Sequence, residues 1–238
     1  MIRRIQLAPI VLALGMVSGA AHAALQGRDL NGSAGSSEAY YDTDLDITWL
    51  ADANYAKTSG YAVGGVMSWA DANTWAANLS LIDAVNNITY DNWRLPTVVD
   101  TGTPGCNYAN TGTDCGFNVD TATSEMAHLY YDELGNKAFR DTSGNEQSGW
   151  GLTNTGPFTN FQADLYWSAT EYATLTSSAW FFTFYFGKQY AEDKWDGFHA
   201  LAVSPGDVGA VAAVPEAQTY ALMLAGLGLI AWRARRRG

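Results

Sequence analysis

From Ser68 onward the apolar residues Trp69, Ala72, Ala76 and Leu79 return on one side of a 3.6-residue period, which predicts an α-helix. Ser68 suits the N-cap, and Asp71 three residues later approximates a capping box. A second helix is predicted from Ser124. Glu125 sits at its positive end, Met126, Leu129, Tyr130 and Leu134 form its inner stripe, and Gly135 stops it. On an α-helical wheel His128 lies about 200° round from Met126, so it is expected to face solvent. The later chain changes to a period of two. Leu165 to Thr170 reads as one strand and Ala179 to Phe186 as another. Trp180, Phe182, Phe184 and Phe186 fall on one face of the second and Phe181 and Tyr185 on the other, so it is expected to be central and covered on both sides. Gly187-Lys188 marks a hairpin turn, Tyr190 opens the return strand, Trp195-Asp196-Gly197 turns again, and Phe198 to Val203 completes the sheet. Helices early and antiparallel strands late predict an α+β domain, two helices packed on a mainly antiparallel sheet.

Neither end follows these patterns. Arg3 and Arg4 precede an apolar stretch from Ile5 to Ala20, and Ala21-His22-Ala23 offers small residues at a cleavage site. These are the three parts of a secretory signal, cut after Ala23. At the other end Pro215-Glu216 is followed by an apolar run from Tyr220 to Trp232 and then by Arg233, Arg235, Arg236 and Arg237. Terminal arginines hold their side of an apolar segment in the cytoplasm, leaving the rest of the chain outside the inner membrane. The run would cover only about 20 Å as a helix, against roughly 30 Å of hydrocarbon, and so suits an anchor meant for recognition and removal. The expected organisation is a signal peptide over 1–23, a globular domain over 24–209 with its core in 40–207, and a linker and sorting segment with a short hydrophobic helix over 210–238. Gly27 to Ser37 reads as an extended lead-in to the domain.

The order Pro-Glu, short apolar segment, arginine cluster resembles the PEP-CTERM sorting signal. That resemblance implies recognition by exosortase, a transpeptidase-like membrane protease of Gram-negative exopolysaccharide producers, with transient anchoring before transfer to the surface or matrix. Ala217 stands where that signal usually has a second proline, which bears on how efficiently the tail is processed.

Removing the terminal segments sharpens the charge picture. Without the six terminal arginines and Glu216, the remainder keeps seven basic and 23 acidic residues, a net charge of −16. Polyanion binding is driven by lysine and arginine, so nucleic acid is excluded as a partner class. Cys106 and Cys115 are the only cysteines. In an exported protein a disulfide between them is expected, closing a Gly/Asn/Thr-rich loop with little apolar content of its own. Two thiols without a neighbouring histidine do not complete a zinc shell.

A second resemblance runs through the domain. Asp44-Leu45-Asp46-Ile47-Thr48-Trp49-Leu50, Ser68-Trp69-Ala70-Asp71-Ala72 and Trp93-Arg94-Leu95-Pro96-Thr97 come in order. Tyr166-Trp167-Ser168-Ala169-Thr170, Ala179-Trp180 and Ala202-Val203-Ser204-Pro205 follow. The series resembles the Lcl C-terminal domain family of a bacterial collagen-like adhesin, over most of residues 40–207. It implies a C-type-lectin-like fold, with adhesion or glycan binding and no established catalytic activity. Ser204 replaces an arginine that the family often carries there.

No P-loop, G-x-S-x-G elbow or H-E-x-x-H is present, and past the signal only His128 and His199 remain. Asp42, Asp44 and Asp46 alternate as at the start of a calcium loop, but Ile47 takes its glycine position, so they are read as a solvated turn. No cofactor or metal is expected; calcium elsewhere in a lectin-like fold is the one alternative. Arg94, between Trp93 and Leu95, is expected to pair with a buried carboxylate or carbonyls. Most aromatic rings should build a core poor in Leu and Ile, while Trp150 and Trp195, in Gly-rich or charged loops, are the candidate ligand-facing rings. The leading expectation is a non-catalytic, exported surface or matrix protein that binds exopolysaccharide or cell-surface glycan. The alternative is a secreted hydrolase using a carboxylate pair, for which Asp164 and Glu171 are available.

Overall fold

A computed structural model describes residues 25–33, 35–102, 110 and 114–209. Both terminal segments and Cys106 lie outside these residues. Along the chain come strands β1 (Gln26–Arg28), β2 (Ala39–Asp42) and β3 (Ile47–Leu50), then helix α1 (Tyr55–Thr58). Strand β4 (Val66–Met67), helix α2 (Trp69–Ala77) and strands β5 (Leu81–Asp83), β6 (Ile88–Tyr90) and β7 (Gly116–Phe117) follow. Helix α3 (Glu125–His128) runs directly into a π-helical turn over Leu129–Glu133. The last strands are β8 (Leu165–Glu171), β9 (Ser178–Thr183), β10 (Lys188–Asp193), β11 (Phe198–His199) and β12 (Val203–Pro205). Short helices and a larger share of strand are consistent with α+β.

The strands form a four-stranded sheet, β1-β2-β3-β12, a six-stranded sheet, β4-β11-β8-β9-β10-β7, and a hairpin, β5-β6. Only β11 and β8 run parallel among these pairs. Strand β9 is central, and every one of its residues is buried. Its neighbours alternate as period two requires. The cross-strand pair Trp167 and Phe181 joins α2 residues Ala72, Trp75 and Ala76 in one apolar cluster. The pair Tyr166 and Phe182 joins Met126, Leu129, Tyr130, Trp49 and Leu201 in another. The large sheet is thus covered by α2 on one face and by α3 on the other, and the smaller sheet contributes to both clusters, with Ala39 and Leu50 in the first and Ile47, Trp49 and Val203 in the second.

Several local expectations need correction. The strand expected to reach Phe186 stops at Thr183, and Phe184–Gly187 form the turn. Phe184 remains in the core, whereas Tyr185 and Phe186 are exposed. Phe198 to Val203 is not one strand. It leaves the large sheet after His199, and β12 pairs with β3 in the smaller one. The lead-in Gly27 to Ser37 is partly structured, because Gly27 and Arg28 lie in β1 and pair with Tyr40 and Ala39. Its irregular part carries no hydrophobic periodicity.

Gly187 closes the β9–β10 turn at φ +60. A Cβ placed there would come within 2.6 Å of Tyr130 Cε1 and 2.9 Å of Ala138 Cα. Left-handed backbone strain and a clash with main chain act together, so Gly187→Ala should cost about 2 kcal/mol. Urea denaturation checks this; an unchanged midpoint would contradict the packing described.

Candidate functional site

The Trp93-Arg94-Leu95-Pro96 block explains how helix α3 is held. Trp93 and Leu95 point into the core, while the Arg94 backbone pairs with Val203 through two 2.8 Å hydrogen bonds. The Arg94 side chain then donates through both terminal nitrogens to Glu125, at 2.8 and 2.7 Å, and to the Leu95 carbonyl at 3.0 Å. Glu125 Oε2 also accepts from Thr97 N at 2.7 Å. This bidentate clamp fixes the first residue of α3 against the strand layer. Ser124 caps the helix by accepting from Ala127 N at 3.2 Å, and it donates to the buried Gln189 Oε1 at 2.6 Å.

So anchored, α3 carries His128 inward. His128 is 7 % exposed, contrary to the solvent-facing position expected from the helical wheel. The wheel failed for two reasons. Residues 126–130 are all buried, because sheet packs on one side of this helix and the β2–β3 hairpin on another. After His128 the helix widens, with Leu134 N donating to Leu129 O at 3.0 Å in the five-residue step of a π-turn. In a regular α-helix residues five apart diverge by about 140°. The wider turn brings them back together, so Glu133 returns to the side of His128.

Asp42, at the end of β2, completes the group. It is fully buried, so the solvated-turn reading needs correction for Asp42 alone; Asp44 and Asp46 are exposed in a turn over residues 43–46. Asp42 Oδ1 accepts from Asp44 N and Leu45 N, both at 3.1 Å, and Oδ2 accepts from Trp49 Nε1 at 3.2 Å. Asp46 instead accepts from the Tyr41 hydroxyl at 2.8 Å, so the three aspartates do not converge as a calcium loop would require. His128 Nε2 lies 3.7 Å from Asp42 Oδ2 and 3.3 Å from Glu133 Oε1, while Nδ1 lies 3.2 Å from Asp132 Oδ2. Nε2 is buried and makes a well-aligned hydrogen bond with no group. Burial, helped by the Asp42 charge, pushes the Glu133 carboxyl up to about 7 against the pull of His128. Asp42, His128 and Glu133 form the one cluster of three possible metal-ligating side chains among the described residues.

A cleft of about 550 Å³ provides a second feature. Its walls include Tyr40 of β2, Asp52, Tyr55 of α1, Leu81 and Ile82 of β5, and Glu38. Glu38 is engaged by Leu30 N at 2.9 Å and Asn31 Nδ2 at 2.6 Å, and Asp52 by Asn54 N and Asn160 Nδ2, both at 2.9 Å. These bonds hold the carboxylates as fixed acceptors at the rim.

The remaining candidates are dispersed. Tyr166, Trp167 and Ser168 are wholly buried. Trp195 is 86 % exposed, but Trp150 is half-buried, stacked on Phe186 and edge-on to Phe139 and Tyr185. Asp164 and Glu171 flank opposite ends of β8, about 20 Å apart at strand rise, well beyond the roughly 5–9.5 Å of a glycosidase pair. Glu171 is bonded to Lys194, and Asp164 lies 3.6 Å from His199. Cys115 is buried beside Val98 and Trp180, and no cysteine is free among the described residues. Ala21, Ala23, Cys106, Pro215, Glu216 and the four terminal arginines lie outside the described residues. No described helix is long and apolar enough to cross a membrane.

The comparisons bear on the tail. Residues 213–237 match the PEP-CTERM protein-sorting motif. Neither a curated protein nor a solved structure matches the chain. The motif implies export, recognition by an exosortase-type enzyme, and membrane-associated processing in a Gram-negative bacterium.

Proposed function

We propose that this is a non-catalytic surface or extracellular-matrix protein, delivered through its PEP-CTERM signal, whose domain binds a saccharide in the Tyr40–Tyr55 cleft. The sorting motif carries the delivery part of this reading. Cleft chemistry supports the binding part. Two half-buried tyrosines offer rings for the apolar faces of a sugar, and Glu38 and Asp52 offer carboxylate acceptors for its hydroxyls. The ordered resemblance to the Lcl C-terminal domain family, with its lectin-like fold, points to the same ligand class. The wide separation of Asp164 and Glu171 weighs against the hydrolase alternative that used them. Within this reading Cys106 pairs with the buried Cys115 and secures the loop between them in the oxidising exterior.

Purified full chain, kept in detergent, should bind exopolysaccharide isolated from the producing bacterium without releasing reducing sugar. Tyr55→Ala should weaken that binding about tenfold, through lost ring contact. Sugar release, or binding indifferent to Tyr55→Ala, would overturn the assignment.

A further inference from the structure

We propose that Asp42, His128 and Glu133 form a binding site for one divalent transition-metal ion, with zinc the best fit. This goes beyond the sorting and saccharide reading and does not depend on it. Two ligand atoms on a tetrahedral ion with bonds of 2.0–2.1 Å stand about 3.4 Å apart. His128 Nε2 already lies 3.3 Å from Glu133 Oε1 and 3.7 Å from Asp42 Oδ2, and one atom from each of the three residues falls within a 4.8 Å set. Little movement is needed to close such a shell.

The unpartnered His128 nitrogen gives the independent pointer to a ligand. The side chain is 9 % exposed, and its Nε2 faces two carboxylate oxygens without an aligned hydrogen bond. Asp132, 3.2 Å from Nδ1, favours the proton on that nitrogen. Nε2 then presents its lone pair toward two carboxyl groups, 3.3 and 3.7 Å away, which leaves a position between them suited to a cation. No lysine or arginine among the described residues is within ion-pair distance of Asp42 or Glu133 to supply that charge. A carboxylate on the outer nitrogen of a metal-bound histidine is the usual way to orient the ring and raise its basicity. Asp42 is held by Asp44 N, Leu45 N and Trp49 Nε1, so its position is fixed in advance.

Ligand type decides the ion. Calcium and magnesium take oxygen shells of six or more, and a buried imidazole nitrogen in a set of three disfavours them. One nitrogen and two carboxylates suit zinc, with a fourth position left for water. The ion would tie the β2–β3 hairpin to the π-turn after α3.

The test uses untagged full chain in detergent, stripped with EDTA and titrated with zinc chloride or calcium chloride by calorimetry. One zinc per chain is expected, with calcium at least 100-fold weaker. His128→Gln and Glu133→Gln should each weaken zinc binding by about 50-fold or more, and Asp132→Asn by about tenfold. Circular dichroism checks that each variant folds. Should His128→Gln unfold, the near-isosteric Glu133→Gln and cobalt(II) absorption of the wild type carry the test, with a tetrahedral spectrum expected. Failure of the wild type to bind zinc, zinc binding unchanged in Glu133→Gln, or a preference for calcium would overturn the site.

Discussion

Phe182→Ala should destabilise the domain by about 3–5 kcal/mol, the range for losing a fully buried aromatic ring. Phe182 is fully buried, one residue before the end of β9, and registers opposite Tyr166. Its ring centroid lies 5.3 Å from Tyr130, 6.2 Å from Tyr131 and 5.0 Å from Phe184. Removing it loses the transfer energy of the ring and leaves a hole that rigid aromatic neighbours cannot fill. A domain of this size should lose about 10 °C in melting temperature. Phe182→Leu restores part of the volume and should cost about 1–2 kcal/mol, while Trp195→Ala at the surface should stay within about 0.5 kcal/mol. Thermal and urea unfolding of the three variants gives the comparison. Equal losses for Phe182→Ala and Trp195→Ala would contradict the two-faced burial of β9.

The second large effect depends on pH. In the metal-free fold the Glu133 carboxyl holds its proton up to about pH 7, whereas in the unfolded chain it ionises near its ordinary value of 4.5. Burial raises it most, Asp42 and Asp44 add to that, His128 opposes them, and Asp132 faces the other nitrogen of that ring. The folded state therefore binds the extra proton between these two values. Stability from this group is fully present below about pH 4.5 and declines as pH rises to 7. Solvent screening and the coupling to His128 reduce the decline expected by linkage to about 1–2 kcal/mol, and it levels off above pH 7. Glu133→Gln removes the titrating group and keeps the shape. Chelator-treated Glu133→Gln should thus match wild type near pH 4.5 and exceed it by about 1–2 kcal/mol at pH 8. Urea midpoints across that range measure the difference, and a pH-independent gap would contradict the burial assigned to Glu133.

These two residues also show what the sequence could reveal. Phe182 was legible because a strand covered on both sides leaves a plain signal, bulky rings at consecutive positions bounded by turn residues. Ser68 and Ser124 announced their helices because caps are local chemistry. Arg94 was readable as a structural cation from its apolar neighbours, although Glu125 lies 31 residues away and nothing local identified it.

His128 and Glu133 were not legible, since their meeting depends on the π-turn and on a hairpin 86 residues earlier in the chain. A regular wheel rotates His128 outward. The one available hint was that residues 126–130 are almost uniformly apolar, which argues for a helix enclosed on more than one side. Asp42 was hidden by its neighbours. Three alternating aspartates read as a solvated turn, and only pairing of β2 with β3 turns the first inward against Trp49. The cleft is likewise assembled from β2, α1 and β5, which no single stretch of sequence specifies.

On this reading the C-terminal segment is a processing signal rather than a lasting part of the protein. Intact-mass measurement on protein recovered from the producing bacterium, with and without its exosortase, decides whether it is removed. Wild-type cells should yield a chain lacking residues 1–23 and the segment from Tyr220 through Gly238, while cells without the enzyme should keep that segment at the membrane. A chain ending at Gly238 in both strains, with Met1 still attached and recovered from the cytosol, would contradict it.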